Sequence, residues 1–270
     1  MMDYVHDPDS FKRLTDALAP WLDQVVVVGG WAHQLYRLHP KAQQLGYPPL
    51  VTLDADVALP AKLPVKEQDI CERLVSHGFT EEFLGDDHPP ATHYHLGGEG
   101  SAFYAEFLTP LVGSENDRNH RRKATVEIAG VTSQQLRFIE LLLHSPWSID
   151  LESEGSTVKV QIANPVSYLA QKVLIQRKRG RDDRAKDILY MHDTLEVFSA
   201  RLEELKELWR SVVAPQLKPR GAMIVSTAPQ LLFGDLTDDI RRAAVISPER
   251  AISPERLREA CRYGFNQIFG

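Results

Sequence analysis

An α/β architecture, a mixed β-sheet flanked by helices and followed by a helical C-terminal domain, is predicted for this chain of 270 residues by three observations. Val25-Val26-Val27-Val28 runs directly into Gly29-Gly30-Trp31-Ala32, a short β-branched strand ending in a diglycine turn and a helix. Further on, Thr52-Leu53-Asp54-Ala55-Asp56-Val57-Ala58-Leu59 reads as a second strand with two acids set into apolar sequence. Finally, the character of the chain changes at Asn164-Pro165, where Asn suits a helix cap and Pro the first helical position. The expected organisation is a core over residues 1–164 and a helical domain over 165–270.

In chain order, Phe11, Leu14, Leu18 and Leu22 recur at helical spacing and lead into the valine strand. A helix over 31–38 stops near Pro40, and 41–50, with Gly46, Pro48 and Pro49, is a loop. The strand over 50–59 follows. Residues 64–77 are predicted helical, with Val65, Ile70 and Leu74 on the apolar side and Gly78 as the stop. Residues 91–96 and 102–108 read as strands joined by Gly97-Gly98-Glu99-Gly100, a hairpin signal. Strands are predicted at 124–128 and 157–162, with a helix over 134–144. Beyond Pro165, helices are expected to about Arg179, over 187–200 and over 202–213. Ser-Pro-Glu occurs at 247–249 and again at 253–255, two competing or successive helix starts.

Composition sets the outer limits. With 43% hydrophobic residues the chain can bury a sizeable core. No apolar run approaches the ~20 residues of a membrane span, and Met1-Met2-Asp3-Tyr4 has neither the basic start nor the apolar stretch of a signal peptide. The expectation is a cytoplasmic protein with no membrane partner. Only Cys71 and Cys261 are present, so neither a disulfide framework nor a thiolate zinc site is indicated. The net charge of −6 argues against a general nucleic-acid binder, but it is unevenly spread. Residues 1–164 hold 13 Lys/Arg against 23 Asp/Glu, and 165–270 hold 18 against 14. An acidic catalytic or metal-binding part and a basic part facing phosphates fit this split, as does a merely well-solvated helical surface.

The acids carry the chemistry. Residues two apart on a strand share a face, so Asp54 and Asp56 stand side by side while Leu53, Ala55 and Val57 face the core. Two carboxylates about 4 Å apart repel by roughly 4 kcal/mol at an effective dielectric near 20, and divalent metal is their natural neutraliser. Glu106 is the one acid in the apolar and aromatic run 102–109. If its strand pairs with that of Asp54 and Asp56, three carboxylates meet, enough for two octahedral magnesium ions completed by water and phosphates. The competing reading is an edge strand with its acids in solvent. Gly29-Gly30 allows close backbone approach and offers a helix N-terminus to an anion, though a diglycine also serves as a plain tight turn.

These residues resemble the nucleotidyltransferase superfamily that includes DNA polymerase beta: a Gly-Gly or Gly-Ser turn, a helix, a strand with Asp-x-Asp and a later acid on a neighbouring strand. Gly29-Gly30-Trp31-Ala32 with Asp54-Ala55-Asp56 is similar to the aminoglycoside and lincosamide nucleotidyltransferases and to the abortive-infection type IV toxin group. Glu106-Phe107-Leu108-Thr109-Pro110 resembles the third-carboxylate strand of the toxin group, where Asp is commoner. Pro165 to Arg179 with Lys186-Asp187-Ile188 resembles that group's helical region and nominates Lys172 as a triphosphate ligand. An ordinary surface lysine is the alternative, and Asp187 is read as a helix-packing or ion-pair residue. The turn here lacks the hydroxyl of Gly-Ser, and Pro48-Pro49-Leu50-Val51 stands where an Arg often precedes Asp-x-Asp.

The resemblance implies a nucleotidyltransferase-type mixed sheet. It also implies transfer of a nucleoside monophosphate from a nucleoside triphosphate to a hydroxyl of an RNA or a small molecule. Asp54, Asp56 and Glu106 would be catalytic and hold two Mg2+, with Gly29, Gly30 and Lys172 binding nucleotide. Within the toxin group, an antitoxin-like protein would be a partner. A non-catalytic relic of the fold, acting as a binding or antitoxin-like module, is the alternative.

Two further groups stand outside this set. His88, His93 and His95 cluster around a loop and strand, but with no Cys and no firm fourth ligand they are read as lining a polar cleft rather than holding zinc. The run 177–186 contains six basic residues without an interleaved aromatic, suited to phosphate rather than to base stacking, and Arg121-Arg122-Lys123 is a smaller cluster of the same kind.

Overall fold

The computed structural model describes residues 7–97, 102–114, 116, 123–153 and 156–270. The hairpin glycines Gly98 and Gly100, and Arg121 and Arg122 of the small basic cluster, lie outside them. The chain divides into two compact units. One comprises Met1–Leu35 with Val51–Ala163, the other Tyr36–Leu50 with Asn164–Gly270.

The first unit contains, in order, α1 (Pro8–Leu18), β1 (Val26–Val27), α2 (Gly29–Leu35), β2 (Asp54–Ala58), α3 (Ile70–Ser76), β3 (Phe79–Leu84), β4 (Ala91–Leu96), β5 (Tyr104–Pro110), β6 (Thr125–Ile128), β7 (Val131–Leu136), α4 (Ile139–Leu143), β8 (Trp147–Ser153) and β9 (Ser156–Ile162). Among the described residues the strands form one mixed sheet in the order β3-β4-β5-β2-β1-β9-β8, with β7 also on β5 and β6 on β7. β2 is an interior strand, parallel to β5 and antiparallel to β1, so its acids are not on a solvent-facing edge.

Helices cover both faces. Ala55, Val57, Ala105 and Phe107 point to one face and are buried. On α1 and α2, Phe11 stacks on Trp31 at 4.3 Å, and Trp31 meets Phe103 edge-on at 5.7 Å. The opposite face carries Val26, Val28, Ala58 and Leu108 against Ile139 and Leu142 of α4. Because side chains alternate, Asp54, Asp56 and Glu106 share this second face with Ala58 and Leu108. Hydrocarbon and α4 thus occupy the C-terminal part of the face, and the carboxylates the N-terminal part.

Several elements depart from the sequence expectation. The helix expected over 64–77 forms only from Ile70, where Asp69 and Glu72 make a capping box; Val65 is exposed. Helix expected over 134–144 is split: Gln134 to Leu136 belong to β7, and α4 starts at Ile139. β3 and β8 were not foreseen. The strand expected from Leu50 begins at Asp54, leaving Leu53 exposed instead of core-facing.

The second unit is helical. Asn164 caps α5 (Pro165–Ile175), accepting from the Ser167 amide at 2.8 Å. Then follow α6 (Arg181–Val197), α7 (Leu202–Leu208), α8 (Pro219–Ser226), α9 (Ala228–Leu231), α10 (Asp238–Val245) and α11 (Pro254–Phe269). Of the two Ser-Pro-Glu sequences, the second caps a long helix through Ser253, and the first makes a single turn at Pro248–Arg250. The segment 36–50 joins this unit: Tyr36 packs edge-on against Tyr168 and Phe198, and the Gln43 amide donates to the Val197 carbonyl. No helix among the described residues is long and apolar enough to cross a membrane.

Candidate active site

The register of β2 on β5 pairs Asp54 with Tyr104 and Asp56 with Glu106. In a parallel ladder such partners point to the same face, which sets the three carboxylates on one face at half-buried positions. Thr52 donates its hydroxyl to Oδ1 of Asp54. The Asp56 carbonyl accepts from the Val28 amide at 2.9 Å, which fixes the strand beside the diglycine turn. Gly29 adopts φ +61, and a methyl group on its Cα would collide with Oδ2 of Asp56. Both the left-handed backbone and the closeness of the carboxylate require glycine there. Replacing Gly29 with Ala should cost about 1–2 kcal/mol for the backbone alone, and should displace Asp56. Urea unfolding would read the first effect and loss of the expected nucleotidyl transfer the second.

Glu106 is held at both oxygens. Oε1 lies 2.9 Å from Nε2 of His93, and Oε2 accepts from Nε2 of Gln134 at 2.9 Å. Its side chain is 17% exposed. Burial, and then the charge of Asp54, push the Glu106 carboxyl up to about 7, against a lowering by the Gln134 hydrogen bond. His93 moves the other way, below the usual imidazole value, chiefly through burial and the neighbouring His95. Glu106 therefore resists ionising beside Asp54 unaided, and the donors of the carboxylate set are all hard oxygens. Both properties fit a divalent cation such as Mg2+.

A stability signature follows from Glu106. Its folded-state value lies above the ordinary 4.5, so the fold favours the neutral acid. The stabilisation is complete below about pH 4.5 and is lost as pH rises through about 7. Without metal, Glu106→Gln should therefore be more stable than wild type at pH 8, by up to about 3 kcal/mol, and the gain should vanish near pH 4.5. Chemical denaturation in chelator across this range is the measurement.

The sequence profile described as "Nucleotidyltransferase" matches residues 10–214, which span the whole sheet and run into the helical unit. The chain belongs to the nucleotidyltransferase family. Among solved structures, the crystal structure of an antigenic nucleotidyltransferase-like protein from Paracoccidioides brasiliensis is similar at 17% identity, covering 70% of this chain and 76% of that one, with a TM-score of 0.37. Comparison with curated proteins gives no match.

In this nucleotidyltransferase, Lys172 lies on α5 and is buried rather than a surface lysine. Its ammonium is 2.6 Å from Oδ1 of Asp187 and 5.4 Å from the ring centres of Tyr168 and Tyr190. Asp187, read as an ion-pair residue, also receives Arg179 at 3.2 Å. The basic run is largely engaged within its own unit: Arg184 pairs with Asp239 at 2.8 Å, and Lys186 lies over the Tyr190 ring. Sequence reasoning missed Gln134, placed in a helix, and Glu82, on a strand without a recognised pattern. Alternation of Val131 and Ser133 inward with Gln134 outward was the available signal for the first.

Proposed function

We propose that this protein transfers a nucleoside monophosphate from a nucleoside triphosphate to the hydroxyl of an RNA or small-molecule acceptor, releasing pyrophosphate. The observation that carries this reading is the pairing of Asp56 with Glu106 on an interior parallel ladder, with Asp54 on the same face. Asp54, Asp56 and Glu106 would hold two magnesium ions, which when bound neutralise triphosphate charge and lower the acceptor hydroxyl's pKa.

The chain's own groups do the rest. Glu106 would receive the acceptor proton at a carboxylate oxygen. His93 and Gln134 hold the two oxygens and so fix the plane of that carboxylate. Gly29 and Gly30 would offer backbone amides to the phosphates, at a turn whose first residue already lies against Asp56. Lys172, nominated by the sequence as a triphosphate ligand, shares its charge with Asp187 inside the helical unit.

The test incubates purified protein with each α-labelled triphosphate and Mg2+, with total RNA in one arm and hydroxyl-bearing antibiotics in the other. Label moving to one acceptor class identifies it. No transfer to either, with nucleotide bound by calorimetry, would overturn the catalytic reading in favour of a binding module.

A further inference from the structure

We propose that Glu82, His93 and His95, beside the carboxylate set, form a site for one first-row transition-metal cation, of the Zn2+ or Co2+ type. The residues come from two strands: β3 and β4 pair with Glu82 opposite His93 and Thr80 opposite His95. One ligand atom from each of the three lies within 4.8 Å of the others. Oε2 of Glu82 is 2.6 Å from Nε2 of His95, and the two imidazole centres are 5.9 Å apart.

The rings are pre-positioned. Tyr104 stacks on His93 at 4.4 Å and tilts against His95 at 5.1 Å, while the side chain of His95 is only 7% exposed. A metal ligand whose rotamer is already set by packing binds without an ordering cost.

Donor chemistry selects the ion. Two imidazole nitrogens and one carboxylate suit Zn2+, Co2+ or Mn2+, whereas Mg2+ prefers oxygen and keeps its water. Asp54 and Asp56 form the hard-oxygen set. Glu106 lies between the two sets, 2.9 Å from His93, where it can supply a fourth donor to the softer ion. The sequence left this cluster without its acidic member because β3 was not recognised; the ladder provides it. The three defining ligands are on β3 and β4 and Asp54 and Asp56 are not among them, so a Co2+ readout can be taken apart from the proposed transfer reaction.

Co2+ titration in excess Mg2+ tests the inference. Wild type should bind one equivalent with a visible ligand-field spectrum that Zn2+ abolishes and Mg2+ does not. Glu82→Gln, at a partly exposed position that should not disturb folding, and His95→Gln should each weaken Co2+ by at least tenfold. Asp54→Asn with Asp56→Asn should leave the stoichiometry and spectrum in place. The proposal is overturned by a folded wild type without a Co2+ spectrum. It is equally overturned if the Glu82 variant binds as wild type, or if the signal disappears with the two aspartates instead.

Discussion

Asp54→Asn should reduce nucleotidyl transfer by ~10³-fold or more while the metal-free protein keeps or gains stability. The two halves of this expectation come from the same electrostatics. Asn preserves size and the acceptor that Thr52 uses, so packing is unchanged. It removes one negative charge from a set whose members oppose one another, and the charge of Asp54 is the second-largest reason the Glu106 carboxyl is pushed up. Without it, Glu106 ionises more easily and the metal-free fold is relieved of repulsion. The charge lost is also the one that would hold metal, and several kcal/mol of transition-state stabilisation would go with it. Asp56→Asn should lose transfer activity alike. Activity and urea unfolding in chelator, measured on one preparation, separate this from a structural role: a variant that loses activity and stability together would count against it. Full activity in both variants would remove the three-carboxylate assignment.

Asp187→Ala should cost about 3–5 kcal/mol of stability. Asp187 is 1% exposed and receives both Lys172 and Arg179. Its removal leaves the Lys172 ammonium buried at 9% side-chain exposure, beside the Tyr168 and Tyr190 rings. Arg179, at 37% exposure, can turn to water. Removing both ends is different in kind: Lys172→Met with Asp187→Leu replaces a buried pair by hydrocarbon of similar size and should cost far less than Asp187→Ala. Urea unfolding of the single and double variants checks this order. The double variant also bears on nucleotide binding. With stability restored, a raised KM for triphosphate with unchanged kcat is expected if Lys172 contacts phosphate, and an unchanged KM would confine Lys172 to the ion pair.

How far the sequence could be read depended on whether the information was local. The alternation of Asp54 and Asp56 against Ala55 and Val57 is a period of two in one strand, and the Asn164-Pro165 helix start is a cap of two residues; both were legible. Glu106 was legible as an acid in an apolar strand. β3 was not: Phe79-Thr80-Glu81-Glu82-Phe83-Leu84 lies at the end of the strand order, with Phe83 exposed, so it has no buried alternation to betray it. β7 was mistaken for helix because its Gln134 and Gln135 carry no strong strand preference, and the pairing with β5 and β6 decided it.

The amino-acid order alone settled which residues alternate, where helices begin and which acids are out of place, because these depend on neighbours a few positions away. The folded chain decided what faces what: Asp56 beside Glu106, Gly29 against Asp56, Glu82 across from His93, and residues 36–50 with the helical unit. Strand register and ion-pair choice arise from contacts between segments far apart in sequence, and a one-residue slip of β5 on β2 would have turned Glu106 to the opposite face.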